Sequence, residues 1–246
     1  MNAFLIKHDF FYENQFGFRK NSSTEHAAMF LVNKVTTALN DKKCAGAVFL
    51  DMSKAFDCVD HSILLNKLDH FGIRGVALKW FESYFRDRKQ ITTFSDVIST
   101  NINEIKCGAP QGSILAPLLY LIYVNDLSKC TKKTTSILFA DDTTLVSFGK
   151  NENEVVDSLN SDLCEIQEWL ISNRLTLNAK KTEFLIFGRK KGRNNQKFHV
   201  QINDEQVKQV PSAKFLGLTI NERLSWKEHM MNYYQKYRGI WDSYTK

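Results

Sequence analysis

Apolar and polar positions along the chain follow two periods. In residues 153–172, apolar side chains fall at 155, 156, 159, 163, 166, 169 and 170, the spacing of a helix with one buried face. "CAGAVFLD" (44–51) is instead an unbroken apolar run closed by a carboxylate, as expected of a buried strand. "DHSILLNKLDHFG" (60–72) predicts a helix with Asp60 as N-cap and Gly72 as stop, and "VALKWFESYF" (76–85) predicts a second. Residues 90–107 carry two blocks of β-branched residues and predict a hairpin. "ILAPLLYLIYVNDL" (114–127) reads as a buried helix, with Pro117 tolerated near its start. "SILFADDTTLVSF" (136–148) predicts two strands with Asp141 and Asp142 at their junction. Short strands are expected around 183–187, 198–202 and 214–220, the first two separated by the basic loop "GRKKGRNNQK" (188–197). The order of elements predicts an α+β fold, a layer of helices on an antiparallel sheet.

Composition narrows the class. With 246 residues, 43% hydrophobic and 24% charged, the chain can bury a sizeable core in one large domain or two small ones. Apolar runs such as "SILAPLLYLIYV" break within about a dozen residues, too short to span a bilayer. "MNAFLIKHDFF" has Lys7, His8 and Asp9 directly after its apolar patch, so no secretory signal is read there. Five cysteines are scattered, odd in number and without a Cys-x-x-Cys, which implies reduced thiols in an intracellular protein that is not secreted. Cys58 and His61 have a ligand-like gap, but no second pair stands at a zinc-site spacing. Net charge is +6 and uneven: Lys180–Lys246 holds 14 Lys+Arg against 6 Asp+Glu, the remainder 19 against 21. A basic end on a near-neutral body suits a polyanion such as nucleic acid; a solvated surface explains it equally well.

Two adjacent carboxylates inside an apolar stretch need solvent, a cationic partner or a metal. Asp51 and Asp141 each stand where an apolar strand ends, and they converge if those strands are neighbours. Converging carboxylates repel unless hard cations such as Mg²⁺ bridge them. Two such ions about 4 Å apart stabilise both the attacking and leaving oxygens of a phosphoryl displacement. Strand side chains alternate, so Asp141 and Asp142 share one site only where a tight hairpin at "ADDT" breaks the alternation. Asp141 is therefore the expected primary ligand and Asp142 a secondary one, although Asp-Asp is also plain turn chemistry. "CGAPQGSILAP" (107–117) sets Gln111 and Gly112 between a strand and a helix, where backbone can approach a ligand and Gln111 offers a two-sided amide.

In order along the chain, "VFLDMSKAFD" (48–57), "CGAPQGSILAP", "FADD" (139–142) and "LTLNAKKTEFLIF" (175–187) resemble the reverse transcriptases. "QFGFRKNSSTEHA" (15–27), "AFDCVDH" (55–61) and "KFLGLTIN" (214–221) narrow the resemblance to enzymes of non-LTR retrotransposons, jockey-like elements in particular. It runs from about residue 10 to the end. The resemblance implies a right-hand polymerase: partial fingers over 1–44, a palm with an inserted fingers segment over 45–212, and a primer-grip hairpin with the start of a thumb over 213–246. Asp51 matches the family's first metal-binding aspartate, the Met52 carbonyl a further ligand, and Asp141 and Asp142 the catalytic pair. The implied cofactor is a pair of Mg²⁺ ions, with Mn²⁺ as a substitute. A primer 3′-hydroxyl would attack the α-phosphate of an incoming nucleotide, one ion lowering its pKa and the other holding the triphosphate. Phe56 matches the aromatic position under the sugar that excludes a 2′-hydroxyl, although alone it reads as core. Gln111 and Gly112 match the nucleotide pocket, Arg19 a fingers arginine facing the triphosphate, and Lys181 the lysine that protonates the departing pyrophosphate, with Lys180 its register rival. Implied partners are an RNA template, a DNA primer and dNTPs, for a monomer with a nuclear role and no membrane association. Against the family pattern the fingers and thumb are short, so a catalytically silent remnant that only binds nucleic acid is the second reading. A cyclase or nuclease on the same palm is the third, and "APQGS" and the primer-grip-like hairpin argue against it.

Overall fold

The structure is a computed structural model that describes residues 2–91, 93–94, 97–98, 103–110, 112–188 and 197–244. It opens with α1 (Asn2–Lys7), α2 (Thr24–Asn40), β1 (Cys44–Leu50), α3 (His61–His70) and α4 (Val76–Phe85). The short strands β2 (Lys89–Gln90), β3 (Thr93–Phe94), β4 (Val97–Ile98) and β5 (Asn103–Glu104) follow, then α5 (Ala116–Val124). Next come β6 (Thr135–Phe139), β7 (Asp142–Gly149), α6 (Glu152–Ser172) and β8 (Glu183–Phe187). The chain continues through β9 (Gln201–Ile202), β10 (Glu205–Gln206), β11 (Lys208–Gln209), β12 (Ser212–Phe215) and β13 (Leu218–Asn221) to α7 (Lys227–Tyr244). No described helix is long and apolar enough to cross a membrane.

A five-stranded sheet in the order β11-β8-β1-β7-β6 organises the molecule. β1 lies at its centre, antiparallel to β7 on one side and to β8 on the other, which is why its sequence is apolar throughout. β6 and β7 are the two arms of a hairpin, and β11 joins β8 in parallel, the one departure from the antiparallel expectation. α6 covers one face, with Leu159, Leu163 and Ile166 fully buried; each contributes about 1.5–3 kcal/mol of apolar burial. Gly46 lets it close in: a Cβ there would lie 2.6 Å from a Val155 methyl.

The opposite face is covered too. α2, for which the apolar pattern gave no element, lays Ala27, Ala28, Leu31, Val35 and Ala38 against Ala45, Ala47, Ile137 and Val146. The helical layer expected on one face is therefore joined by a second, whose small-residue stripe gives a weak periodic signal. Ser23 caps α2 by accepting the His26 N–H. The helix expected over 114–127 is shorter: α5 ends at Val124 and passes into a 3₁₀ turn, Asn125–Cys130, whose Asn125 side chain bonds the Phe10 carbonyl and the Tyr12 N–H. The 90–107 hairpin resolves into two short pairs, β2–β5 and β3–β4, and 214–220 falls within the β12–β13 hairpin.

Candidate active site

Strand register brings the aspartates together. Leu50 pairs with Thr143, so continuing the β1–β7 ladder by one residue sets Asp51 opposite Asp142. Phe139 pairs with Asp142 across the β6–β7 hairpin, which leaves Ala140 and Asp141 as its two-residue loop. Asp141 thus stands at the tip and Asp142 at the first rung. Ala140 is held at φ 57°, a left-handed conformation that costs a non-glycine residue about 1–3 kcal/mol.

The N-terminal segment braces that tip. The Leu138 N–H donates to the Asn14 carbonyl at 2.9 Å, and the Phe16 N–H donates to the Leu138 carbonyl at 2.7 Å. Gly17 then passes directly under the loop: a Cβ at this position would lie 2.2 Å from the Ala140 nitrogen. Only glycine permits this approach.

Asp51 is fixed from the β8 side. Its carbonyl accepts the Asn178 N–H at 2.8 Å, and the Ser53 N–H donates to the Thr176 carbonyl at 3.0 Å. The Asp51 N–H donates to the hydroxyl of buried Thr182 at 3.4 Å, and that hydroxyl donates to the Asn178 carbonyl at 3.0 Å. Met52, itself buried, bridges Leu177 in the same antiparallel pairing. The same clamp places the Lys181 Nζ 3.7 Å from an Asp51 carboxylate oxygen; of the two candidate lysines, this is the one in the ion pair. Lys180 lines the same cavity, about 620 Å³ in volume, with Asp51, Asp142, Lys181, Lys214 of β12 and Asn232 of α7.

The electrostatics are those of crowded like charges. The Asp142 carboxyl is pushed above its usual range, first by partial removal from water and then by the charges of Asp141 and Asp51. Burial, and then the carboxylates of Asp141 and Asp142, push the Tyr120 phenol far up. Among the described residues, no group of three His, Cys, Asp or Glu side chains is drawn into a ready-made metal cage. The side-chain donors on offer are carboxylate oxygens, which fit a hard divalent cation.

Phe56 stacks on Tyr120, with centroids 4.3 Å apart at 24°, and meets Phe18 edge-on at 6.1 Å. Its carbonyl accepts the Ala109 N–H at 2.8 Å, tying it to the loop that leads to Gly112. Gly112 has φ 80° with open space where a Cβ would be, so conformation and not proximity requires glycine there. Gln111 lies outside the described residues. Arg19 is not brought to the aspartates by its hydrogen bonds: its Nη1 donates to the carbonyls of Tyr12 (3.0 Å), Gln15 (3.4 Å) and Glu13 (3.5 Å). His61, half of the rejected zinc spacing, bonds the Gly108 carbonyl at 2.9 Å and stacks on Phe85. Sequence reading overlooked Gly17, Tyr120 and Thr182. Tyr120 had one signal, a phenol inside the apolar run "PLLYLIYV".

Comparison with known proteins gives a consistent answer. The family model for reverse transcriptase (RNA-dependent DNA polymerase) matches residues 1–220. A probable RNA-directed DNA polymerase from transposon X-element of Drosophila melanogaster is 29% identical over 228 residues, covering 89% of this chain and 24% of that protein. The RNA-directed DNA polymerase from mobile element jockey of the same organism is 28% identical, covering 91% and 25%. The chain thus spans about a quarter of the length of these curated relatives. Among solved structures, apo telomerase from Candida tropicalis superposes with a TM-score of 0.59 at 14% identity, over 92% of this chain and 43% of that one. Telomerase from Candida albicans, in complex with a fragment of telomeric RNA, gives 0.58 at 16%, over 90% and 36%. These two likenesses bear on the fold alone.

Proposed function

Since the chain belongs to the reverse transcriptase family, we propose that it is the polymerase core of a jockey-like non-LTR retrotransposon enzyme, adding dNTPs to a DNA primer on an RNA template. The observation that carries this reading is the pairing register that sets Asp51 opposite Asp142, with Asp141 at the adjoining hairpin tip. The register and the raised Asp142 carboxyl support a reading in which all three carboxylates serve one site; among the described residues the cation paired with them is Lys181, on Asp51, and its side chain is exposed.

Asp51 and Asp141 are the principal oxygen donors in this proposal, with Asp142 and the Met52 carbonyl completing the set. Two Mg²⁺ ions, or Mn²⁺ in their place, would supply charge neutralisation of the triphosphate and acidify the primer 3′-hydroxyl. Lys181 waits beside Asp51 to protonate the departing pyrophosphate. Phe56, backed by the Tyr120 ring, forms the floor under the sugar and excludes a 2′-hydroxyl. Gln111 and Gly112 line the nucleotide pocket. For Arg19 to face the triphosphate, its guanidinium must leave the carbonyls of residues 12–15. We divide the chain into partial fingers (1–44), palm (45–212), and primer-grip hairpin with the first thumb helix (213–246), a monomer working inside the cell and, as a mobile-element enzyme, in the nucleus.

Primer extension on an RNA template, wild type against Asp141→Asn, tests the reading. Extension by the wild type alone is expected. Equal extension by both overturns it, and RNA binding without extension by the wild type favours a binding module that has lost its chemistry.

A further inference from the structure

α4 presents an exposed stack that the aspartate site does not use. Trp80 and Tyr84, one turn apart on this helix, lie nearly parallel, with centroids 5.4 Å apart at 13°. Past the helix end, Arg88 folds back over the Tyr84 ring at 5.2 Å. Trp80 is 50% exposed, although its neighbours Phe81 and Phe85 are buried and carry the helix's packing. An indole so placed leaves about half of a large apolar surface in water, beyond what Tyr84 and Phe81 cover. The surrounding charge is positive: residues 74–89 hold five Lys+Arg against two Asp+Glu.

This strip connects to the site already described. The Tyr84 hydroxyl shares a 2.9 Å hydrogen bond with the Ser113 hydroxyl, next to Gly112. Arg88 and Lys89 line a cavity of about 580 Å³ whose other wall includes Asp57, Gly108, Ala109 and Pro110. Ala109 is bonded to the Phe56 carbonyl. A strand lying on Trp80 and passing Arg88 is therefore led to the Phe56 loop.

We propose that Trp80, Tyr84, Arg88 and Lys89 form a platform for single-stranded RNA. The exposed indole stacks an unpaired base, while Arg88 and Lys89 take the phosphates on either side. Aromatic faces accept any base, so binding is tolerant of sequence, and the cations make it depend on salt. Charge selects this occupant over an apolar protein surface, which five cations in sixteen residues would disfavour. Only the identification of that strand as the polymerase template rests on the function proposed above.

The experiment uses the whole chain and fluorescently labelled poly(U), with affinity measured by anisotropy across a salt series. Trp80→Ala and Arg88→Ala should each weaken binding about tenfold, the loss of one stacked base or one charged contact. Arg88→Ala should also reduce the slope of log affinity against log salt by about 0.7. Trp80→Phe should retain most of the affinity yet lose part of the tryptophan quenching by RNA, which ties the effect to stacking and not to misfolding. Met29→Ala, on an exposed position of α2, should bind as wild type. Unchanged binding by both Trp80→Ala and Arg88→Ala, wild-type binding insensitive to salt, or no wild-type binding overturns the platform. The two proposals fail separately. If Asp141→Asn extends a primer as well as wild type while Trp80→Ala loses RNA, the chemistry falls and the platform stands; the reverse pattern removes the platform alone.

Discussion

β6 has an aspartate at each end, and the two are treated in opposite ways. At its start, Asp162 of α6 is 1% exposed, and one carboxylate oxygen accepts the Lys133 N–H at 2.9 Å, the Thr134 N–H at 2.8 Å and the Thr134 hydroxyl at 2.8 Å. At its other end, Asp142 stands opposite Asp51 with Asp141 beside it at the hairpin tip, and the charges of both raise the Asp142 carboxyl. Asp60 belongs with Asp162. Burial alone would raise its carboxyl, but hydrogen bonds from Ser62 and the Ile63 N–H and the Arg174 guanidinium outweigh that and hold it below its ordinary value. A carboxylate that holds a fold together is surrounded by donors. On the function proposed above, Asp51, Asp141 and Asp142 are instead kept for a cation that is not part of the chain, which is why they are left in conflict with one another.

This contrast separates activity from stability in a series of variants. The largest effect expected is on Asp141→Asn: primer extension falls at least about 100-fold, as when a transition-state contact is lost, while urea unfolding shows no loss of stability. Asp162→Ala should reverse that pattern, losing about 2–3 kcal/mol in urea because two backbone donors are left unpaired, with the folded fraction keeping its specific activity. Gly17→Ala mixes the two, because its new methyl group must push the Ala140 backbone away. It should lose about 1–3 kcal/mol and a larger share of extension than the loss of folded protein explains.

Asp60→Ala should cost about 1 kcal/mol as a lost helix cap. Its pH dependence has a definite sign. The folded-state pKa lies below the ordinary aspartate value of 3.8, so the Asp60 contribution is complete above that value and is lost as pH falls through the lower folded pKa. The difference between wild type and Asp60→Ala in acid unfolding should therefore close below pH 3.8. For Asp142 the sign is opposite: its raised carboxyl destabilises the fold at neutral pH without metal, a penalty that disappears as pH falls towards 3.8. In chelator at pH 7, Asp142→Asn should raise the melting temperature slightly, the smallest effect in the series.

Some of this was legible in the sequence and some could not be. α6 and β1 announce themselves by period, and "FADD" by placing charge in an apolar run. Asp60 as a cap is likewise local chemistry. By contrast, the opposition of Asp51 to Asp142 depends on a register between segments about ninety positions apart, and pairing of that kind is settled by the whole sheet. The left-handed Ala140 is hidden because alanine gives no sign of it, and the glycine that its backbone lies against is Gly17, on another segment. α2 escaped because a stripe with three alanines buries little area per turn. The exposed Trp80 reads as part of an amphipathic helix until its solvent-facing ring is seen.

The central claim is that the conflict among Asp51, Asp141 and Asp142 is resolved by a divalent cation. Thermal unfolding with chelator and with millimolar Mg²⁺ measures this without requiring turnover, since a ligand that binds only the folded state raises its melting temperature. Mg²⁺ should raise the melting temperature of wild type and of Asp60→Ala, and the rise should vanish in Asp141→Asn. An equal rise in wild type and Asp141→Asn, or none in wild type, would contradict the account.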